Sequence, residues 1–290
     1  MIPITGHTKL TGLLGSPVEH SISPMMHNTG FQALGLDYVY LCFEVNETGL
    51  GDAVKGLKTM GVRGFNLTMP NKNKILEYLD ELSPAAECIG AVNTVENQNG
   101  KLIGHNTDGI GFMRAAAENG IQTKGKTITL MGIGGAATAI CAQAALDGVG
   151  AIHIFARSTS RYLPRMKQMI QQLAKKSSCE IMIHPNEDQK TLQEAMNESV
   201  LFINATSVGM APHTGDCILP DASFLRSDLA VADIIYNPWE TRLLSMAREA
   251  GCQTFNGYGM LIHQGAEAFK IWTGQDMPVS VIKEKYFSVK

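Results

Sequence analysis

Along this chain, short apolar runs of strand length alternate with stretches whose apolar positions recur every three or four residues, almost from end to end. That alternation predicts an α/β protein with mainly parallel sheets, because each crossover between parallel strands takes a helix's length of chain. The first series reads as a strand over residues 10–15, a helix from Ser23-Pro24 to Leu34, a strand at Tyr38–Val45, a helix over residues 50–60 and a strand at Gly64–Leu67. Proline suits the first helical position, where its missing N–H would find no partner in any case. Asn97-Gln98-Asn99-Gly100 is a turn sequence between Thr94–Glu96 and Lys101–Gly104, which predicts a hairpin. Asp108 is then expected to cap a helix running to Asn119.

A second series starts after Gly120–Gly125. Strands are predicted at Thr127–Met131, Ile152–Ala156, Glu180–His184, Val200–Asn204, Leu229–Asp233 and Gln253–Phe255, separated by helices that include an alanine-rich one ending at Leu146 and others near 160–175, 188–197 and 241–250. The tail, Met260–Trp272 and Val279–Tyr286, is helical but has no strand of its own to cover. It is expected to cross back to the first domain and leave a cleft between the two.

Composition narrows the class. With 290 residues, 44% hydrophobic and 18% charged, the chain is long enough for two domains and has the make-up of an ordinary globular protein. A net charge of -3 offers no electrostatic reason to expect nucleic acid or a membrane surface as partner. The six cysteines stand singly, without a C-x-x-C pair, which suits a reducing cytoplasm; the eight histidines are scattered and no metal site is expected. The first residues lack a basic segment followed by a long apolar run, and no stretch reaches the roughly 18 apolar residues of a membrane span.

The chemistry lies in three places. Gly132-Ile133-Gly134-Gly135-Ala136-Ala137, between a β-branched strand and the alanine-rich helix, fits a dinucleotide turn: Gly132 for the tight bend, Gly134 for close approach of backbone to pyrophosphate, Ala137 for helix–strand packing. A turn without ligand, or one serving a methyl donor, would read similarly. The end of the next strand, Ala156-Arg157-Ser158-Thr159-Ser160-Arg161, has no carboxylate for a ribose hydroxyl, and its arginines favour a 2'-phosphate, hence NADP with NAD as the alternative. Lys72, in Asn66-Leu67-Thr68-Met69-Pro70-Asn71-Lys72, and Asp108, in Gly104-His105-Asn106-Thr107-Asp108-Gly109, could move a proton while a nicotinamide moves a hydride. Each alone reads as a solvated lysine and a helix cap. Their company argues otherwise, because Asn66, Thr68, Asn93, Asn106 and Thr107 gather polar side chains at strand ends suited to a polyhydroxylated ligand. The Thr68–Pro70 turn is expected to place Lys72 in the first turn of a helix. Ser21 and Ser23 are expected as helix caps or carboxylate binders.

Taken in order, Ser21/Ser23, Asn66 to Lys72, Ala91-Val92-Asn93-Thr94, Asn106-Thr107-Asp108-Gly109, the glycine turn, Asn204-Ala205-Thr206-Ser207-Val208-Gly209-Met210 and Gly259-Met260-Leu261-Ile262-His263-Gln264-Gly265 resemble the shikimate/quinate 5-dehydrogenase family. The resemblance spans nearly the whole chain, and seven motifs in order are far more specific than any one. It implies NADP-dependent reversible reduction of 3-dehydroshikimate to shikimate by a cytoplasmic enzyme, with Lys72 as the acid–base residue and Asp108 as its partner. It further implies substrate contacts from Ser21, Ser23, Tyr40, Thr68, Asn93 and Gln264. Gly132, Gly134, Gly135 and Ala136 would hold pyrophosphate, Arg157, Ser158 and Arg161 the adenosine ribose side, and Thr206, Met210, Tyr236, Gly257 and Met260 the nicotinamide side. The implied division is a substrate domain over residues 1–110, a Rossmann-like domain over 111–258 and returning helices over 259–290, with a homodimer among the assemblies allowed. The signals on subtype are mixed: Ala156 replaces the usual asparagine before the arginine, and the Thr68–Lys72 stretch and Gly257–Leu261 with Trp272-Thr273-Gly274 beyond it resemble the branch that also takes quinate and NAD, whereas the acid that NAD-using relatives place after the arginine is absent, with Thr159 near its position. A broad quinate/shikimate dehydrogenase is therefore one competing reading, and a non-catalytic regulator that binds these acids is another; the regulator would have no need of both Lys72 and Asp108.

Overall fold

The computed structural model describes residues 3–287, and the chain divides into two compact units: residues up to Thr107 together with those from Ile262 onward, and Asp108–Leu261. The first unit opens with β1 (Lys9–Gly15), α1 (Ser23–Ala33), β2 (Tyr38–Glu44), α2 (Leu50–Thr59) and β3 (Gly64–Leu67). It continues with β4 (Glu81–Leu82), α3 (Pro84–Ile89), β5 (Thr94–Gln98) and β6 (Lys101–His105). Among the described residues its strands form one six-stranded sheet in the order β2-β1-β3-β5-β6-β4. Pairing is parallel on both sides of β1 and turns antiparallel at β5, which faces β3 on one side and β6 on the other. The β5–β6 hairpin closes through Asn99 and Gly100, both at positive φ (53° and 94°), the backbone that an Asn-Gly pair adopts at little cost.

β3 carries its neighbours close. At Gly64 a Cβ would run into the indole nitrogen of Trp272, whose N–H instead donates to the Val95 carbonyl at 3.0 Å. That contact belongs to the returning tail, α9 (Tyr258–Thr273) and α10 (Val279–Tyr286). Ile262, Ala266, Ala268, Phe269, Trp272, Met277 and Ile282 form one buried cluster with Leu13, Val18, Met26, Phe31 and Tyr40. The sheet's other apolar cluster, Leu14, Phe65, Leu67, Val92 and Val95, lies with α2 residues Leu50, Val54 and Leu57. Both clusters follow from patterning: β1 alternates little and is buried at its carboxyl half, as a strand covered on both faces must be.

The sequence reading passed over α3, although its signals are strong. Ser83 caps it by accepting from the Ala86 amide, Pro84 opens it, and Gly90 at φ 65° ends it. Six residues are too few for periodicity to show. Asp108 is the first residue of the following helix rather than the residue before it; the Thr107 hydroxyl is spent on Asn93 instead of the helix end.

The second unit runs α4 (Asp108–Glu118), β7 (Thr127–Met131), α5 (Gly135–Leu146), β8 (Ala151–Ala156), α6 (Leu163–Leu173), β9 (Glu180–Pro185), α7 (Gln189–Glu198), β10 (Ser199–Asn204), β11 (Ala230–Asp233), α8 (Arg242–Glu249) and β12 (Gln253–Phe255) into the start of α9. Its sheet is parallel throughout, in the order β12-β11-β10-β7-β8-β9. This is the doubly wound arrangement, and its order reverses between β7 and β10, where such sheets bind ligands at the strands' carboxyl ends. α5 is buried over most of its length, so its alanines let it lie close on the sheet.

One buried group sets a pH dependence. His27 is sealed on α1, stacked on Tyr40 with ring centroids 4.4 Å apart, its Nδ1 without a hydrogen-bond partner. Burial lowers its pKa to about 3. The unfolded chain takes up this proton near pH 6.5 and the folded chain does not, so stability is intact above that pH and falls below it by up to about 1.4 kcal/mol per pH unit. Urea unfolding at pH 7.5 and 5.0 should show His27→Phe losing less stability on acidification than wild type, by about 2 kcal/mol. Equal losses in the two proteins would refute this account.

Candidate active site

In the first unit the predicted polar residues converge at the carboxyl ends of β1 and β3 and the start of β5. Asn66, on β3, is buried: its Oδ1 accepts the Tyr40 hydroxyl at 2.8 Å, and its amide donates to the Asn93 carbonyl at 3.0 Å and Thr94 Oγ1 at 2.9 Å. Tyr40 is fully buried, and burial raises its phenol pKa well above the usual value, against a smaller lowering by its hydrogen bond with Ser23. Asn93 is the hub. Its Oδ1 accepts from the Thr107 amide at 2.9 Å and from Thr94 Oγ1 at 3.0 Å, and its amide donates to Thr107 Oγ1 at 2.9 Å and reaches Gln264 Oε1 at 3.5 Å. Asn106 donates to the Ala91 carbonyl at 3.1 Å.

Ser21 and Ser23 stand at the start of α1, both half-buried. Ser21 accepts from the Ser23 amide at 3.3 Å and bonds the Cys42 thiol, so the pair forms a small polar turn, while the residue in the cap position is Ile22. Thr68 follows β3 directly, and Gly15 makes room for it: a Cβ there would overlap the threonine methyl. Lys72 is half-buried in a turn rather than in the first turn of a helix. Its carbonyl accepts from the Val92 amide at 2.8 Å, which takes it out of a helical ladder, and a 3-10 helix begins only at Lys74.

In the second unit the glycine turn connects β7 to α5. Gly132 has φ 104°, and a Cβ on it would come within 2.9 Å of the Thr206 methyl, so glycine is required. Gly134 and Gly135 face open space, and α5 starts at Gly135 without a side-chain cap. The free amides of Gly135 and Ala136 are therefore available to an anion, and Ala137 is buried against the sheet as close packing needs. Arg157, Ser158 and Arg161 are exposed just beyond β8, with Arg161 donating to the Tyr162 hydroxyl at 2.9 Å. These residues fit a phosphorylated dinucleotide: an uncapped helix start for pyrophosphate and unburied guanidinium groups one strand over.

Thr206, Met210 and Tyr236 lie past the ends of β10 and β11, with Met210 and Tyr236 nearly half exposed. Gly257 is held so close to the Ile234 carbonyl that any Cβ would collide with it, and Met260 is half-buried in the first turn of α9. The sequence reading missed what holds this loop. Buried Asp233 accepts from Asn204 Nδ2 at 3.1 Å, Thr241 Oγ1 at 2.8 Å and the Ile235 amide at 3.1 Å. Desolvation raises its pKa, and the three donors pull the other way. Its position at the end of a parallel strand was the available signal. Half-exposed Trp239 packs at a tilt against Tyr258, 4.7 Å between centroids, and carried no signal in the sequence. Among the described residues no group of three metal-ligating side chains converges.

Known proteins resemble this chain over nearly its whole length. Residues 13–95 match the model of the shikimate dehydrogenase substrate binding domain, and residues 257–285 that of the shikimate 5'-dehydrogenase C-terminal domain. The chain is 53% identical over 284 residues to a shikimate dehydrogenase (NADP(+)) of Listeria innocua, covering 98% of this chain and 97% of that protein. It is 50% identical over 283 residues to a protein of the same name from Streptococcus pyogenes, covering 97% of each. The structure of shikimate 5-dehydrogenase from Listeria monocytogenes in complex with shikimate and NAD is similar over 97% of each chain, with 53% identity and a TM-score of 0.94.

The Asn66 contacts carry a measurable consequence. Asn66→Ala would leave the Tyr40 hydroxyl buried without its acceptor and Thr94 without a donor, each costing about 1–3 kcal/mol. Chemical denaturation should show a loss of at least about 2 kcal/mol; an unchanged midpoint would mean that these groups find other partners.

Proposed function

Because this chain belongs to the shikimate dehydrogenase family, we propose that it catalyses the reversible, NADP-dependent reduction of 3-dehydroshikimate to shikimate. The observation that carries the reading is the way consecutive residues Val92 and Asn93 tie the two candidate proton-transfer segments: the Val92 amide donates to the Lys72 carbonyl, and Asn93 accepts from Thr107, the residue before Asp108. Nicotinamide supplies the hydride in one direction and accepts it in the other. Lys72 Nζ delivers the proton to the carbonyl oxygen as the alcohol forms and takes it back on oxidation. Asp108 keeps Lys72 oriented and its charge balanced, and its place in the first turn of α4 suits a carboxylate.

The remaining roles follow from placement. Ser21 and Ser23 offer hydroxyls for the substrate carboxylate, while Thr68, Asn93 and Gln264 offer donors and acceptors for the ring hydroxyls. Tyr40 donates its proton to Asn66 and keeps its oxygen as an acceptor beside Ser23, so it joins the groups that meet the substrate. Residues up to Thr107, with the returning helices, form the substrate domain, and the doubly wound unit holds the dinucleotide through Gly132, Gly134, Gly135 and Ala136. Thr206, Met210, Tyr236, Gly257 and Met260 line the nicotinamide end. Cysteines free of disulfides among the described residues support cytoplasmic residence, and an exposed Leu41 on edge strand β2 supports assembly as a homodimer.

Initial rates with NADP or NAD, each against shikimate or quinate, test the reading. Shikimate with NADP should be fastest, with quinate about tenfold or more lower in kcat/KM because its extra hydroxyl lacks a partner. Lys72→Ala should reduce kcat about 10²- to 10⁴-fold with little change in cofactor affinity. A mutant within threefold of wild type, or a chain that prefers quinate, would overturn the corresponding assignment.

Arg157 is assigned to the 2'-phosphate. Loss of one charge-assisted bond costs roughly 1.5–3 kcal/mol, so Arg157→Ala should raise KM for NADPH about tenfold to a hundredfold and leave NADH nearly untouched. Equal weakening of both cofactors would remove the argument for phosphate recognition.

A further inference from the structure

Asp233 lies outside every motif named above, yet the loop assigned to the nicotinamide end hangs from it. Its carboxylate collects three donors, from Asn204, Thr241 and the Ile235 backbone, and the described residues place no acceptor against it. A carboxylate so surrounded only accepts. The facing amide of Asn204 turns its NH2 toward two acceptors, Asp233 and, at 3.2 Å, the Val208 carbonyl. Asn204 Oδ1 is left facing the loop, and it accepts both the amide and the hydroxyl of Thr206, at 3.1 and 2.7 Å. The Thr206 hydroxyl has then spent its single proton. Its oxygen accepts from the Val208 amide at 3.1 Å and keeps one lone pair free.

We propose that Asp233 is a positioning residue that, with the Val208 carbonyl and the Thr206 backbone amide, holds hydrogen-bond polarity along the relay Asp233–Asn204–Thr206, so that half-exposed Thr206 presents an acceptor and selects a ligand group that donates. This rests on the function proposed above, and it deepens it. On a nicotinamide the group that donates is the carboxamide NH2, whereas a carbonyl oxygen would meet only the Thr206 lone pair. The relay thus reads which way the carboxamide lies. Thr241 is the control within the same cluster: it caps α8 and donates to Asp233, but the carboxylate remains an acceptor without it.

The test compares kcat/KM for shikimate oxidation with NADP and with its 3-acetylpyridine analogue, in which a methyl group replaces the carboxamide NH2. Wild type, Asp233→Asn, Thr206→Val and Thr241→Val are measured together with their thermal unfolding. The intrinsic difference between the two cofactors cancels when each variant's ratio is divided by the wild-type ratio. In D233N the amide at position 233 cannot accept from all three donors that the carboxylate gathers, so Asn204 and the loop it holds are fixed less firmly. The preference for NADP should fall about threefold to tenfold in D233N, and likewise in T206V. T241V should lose stability through its missing cap and keep the wild-type ratio, which a purely structural role for Asp233 would not produce. Should D233N fail to fold, T206V and T241V decide: a fallen ratio in the first with a retained ratio in the second supports the relay. An unchanged ratio in T206V, or a ratio that falls equally in T241V, overturns it. Absence of shikimate–NADP activity in wild type would overturn the proposed function and the relay with it, whereas normal activity with unchanged ratios overturns the relay alone.

Discussion

The side-chain amide of Asn93 is buried at the start of β5, where a polar group must find partners or cost about 1–3 kcal/mol for each one lost. It finds them in Thr94, in both the amide and hydroxyl of Thr107, and in Gln264 of the returning helix. Its own backbone carbonyl holds Asn66, which in turn holds the Tyr40 hydroxyl. Segments far apart in sequence are thereby fixed to one another by bonds that are expensive to leave unmade. The same side chains are those that a polyhydroxylated acid needs, so the network that orders this end of the sheet also presents its binding groups. Lys72 joins through its backbone, its carbonyl accepting from the Val92 amide.

A comparable economy runs through the second unit. Gly132 is held by its positive φ and by the Thr206 methyl beside it, so the turn assigned to pyrophosphate and the loop assigned to nicotinamide constrain each other. Two strands away, Asp233 closes the other side of that loop through Asn204 and caps its own position by holding Thr241. Parallel strands bring these residues together because all their carboxyl ends point the same way. No single strand end holds enough donors and acceptors to build such a site alone.

Much of this was legible in the chain. Strand-length apolar runs and their spacing located nearly every strand, because burial on both faces leaves a composition signal that local context rarely disturbs. The Asn99-Gly100 turn and the Ser23-Pro24 helix start were read from backbone chemistry that those residues carry wherever they occur. What escaped was short or indirect. α3 spans too few residues for a period, although Ser83, Pro84 and Gly90 announced both its ends. Lys72 was assigned to a helix because a turn precedes it, but a bond from Val92 twenty residues away claimed its carbonyl.

The sequence by itself determined the α/β class, the glycine turn, the residue types able to carry proton transfer beside a dinucleotide, and the family, since each depends on local pattern or on motifs in order. Only the tertiary structure decided which hydroxyls are free and which are spent. Tyr40 spends its hydroxyl proton on Asn66 and is left an acceptor; Asp233 reads as a strand end, yet it gathers donors from Asn204, Thr241 and the Ile235 amide. The physical reason is that a hydrogen-bonding side chain has a fixed number of donors and acceptors, and which remain for a ligand depends on neighbours that only folding brings within 3 Å or so.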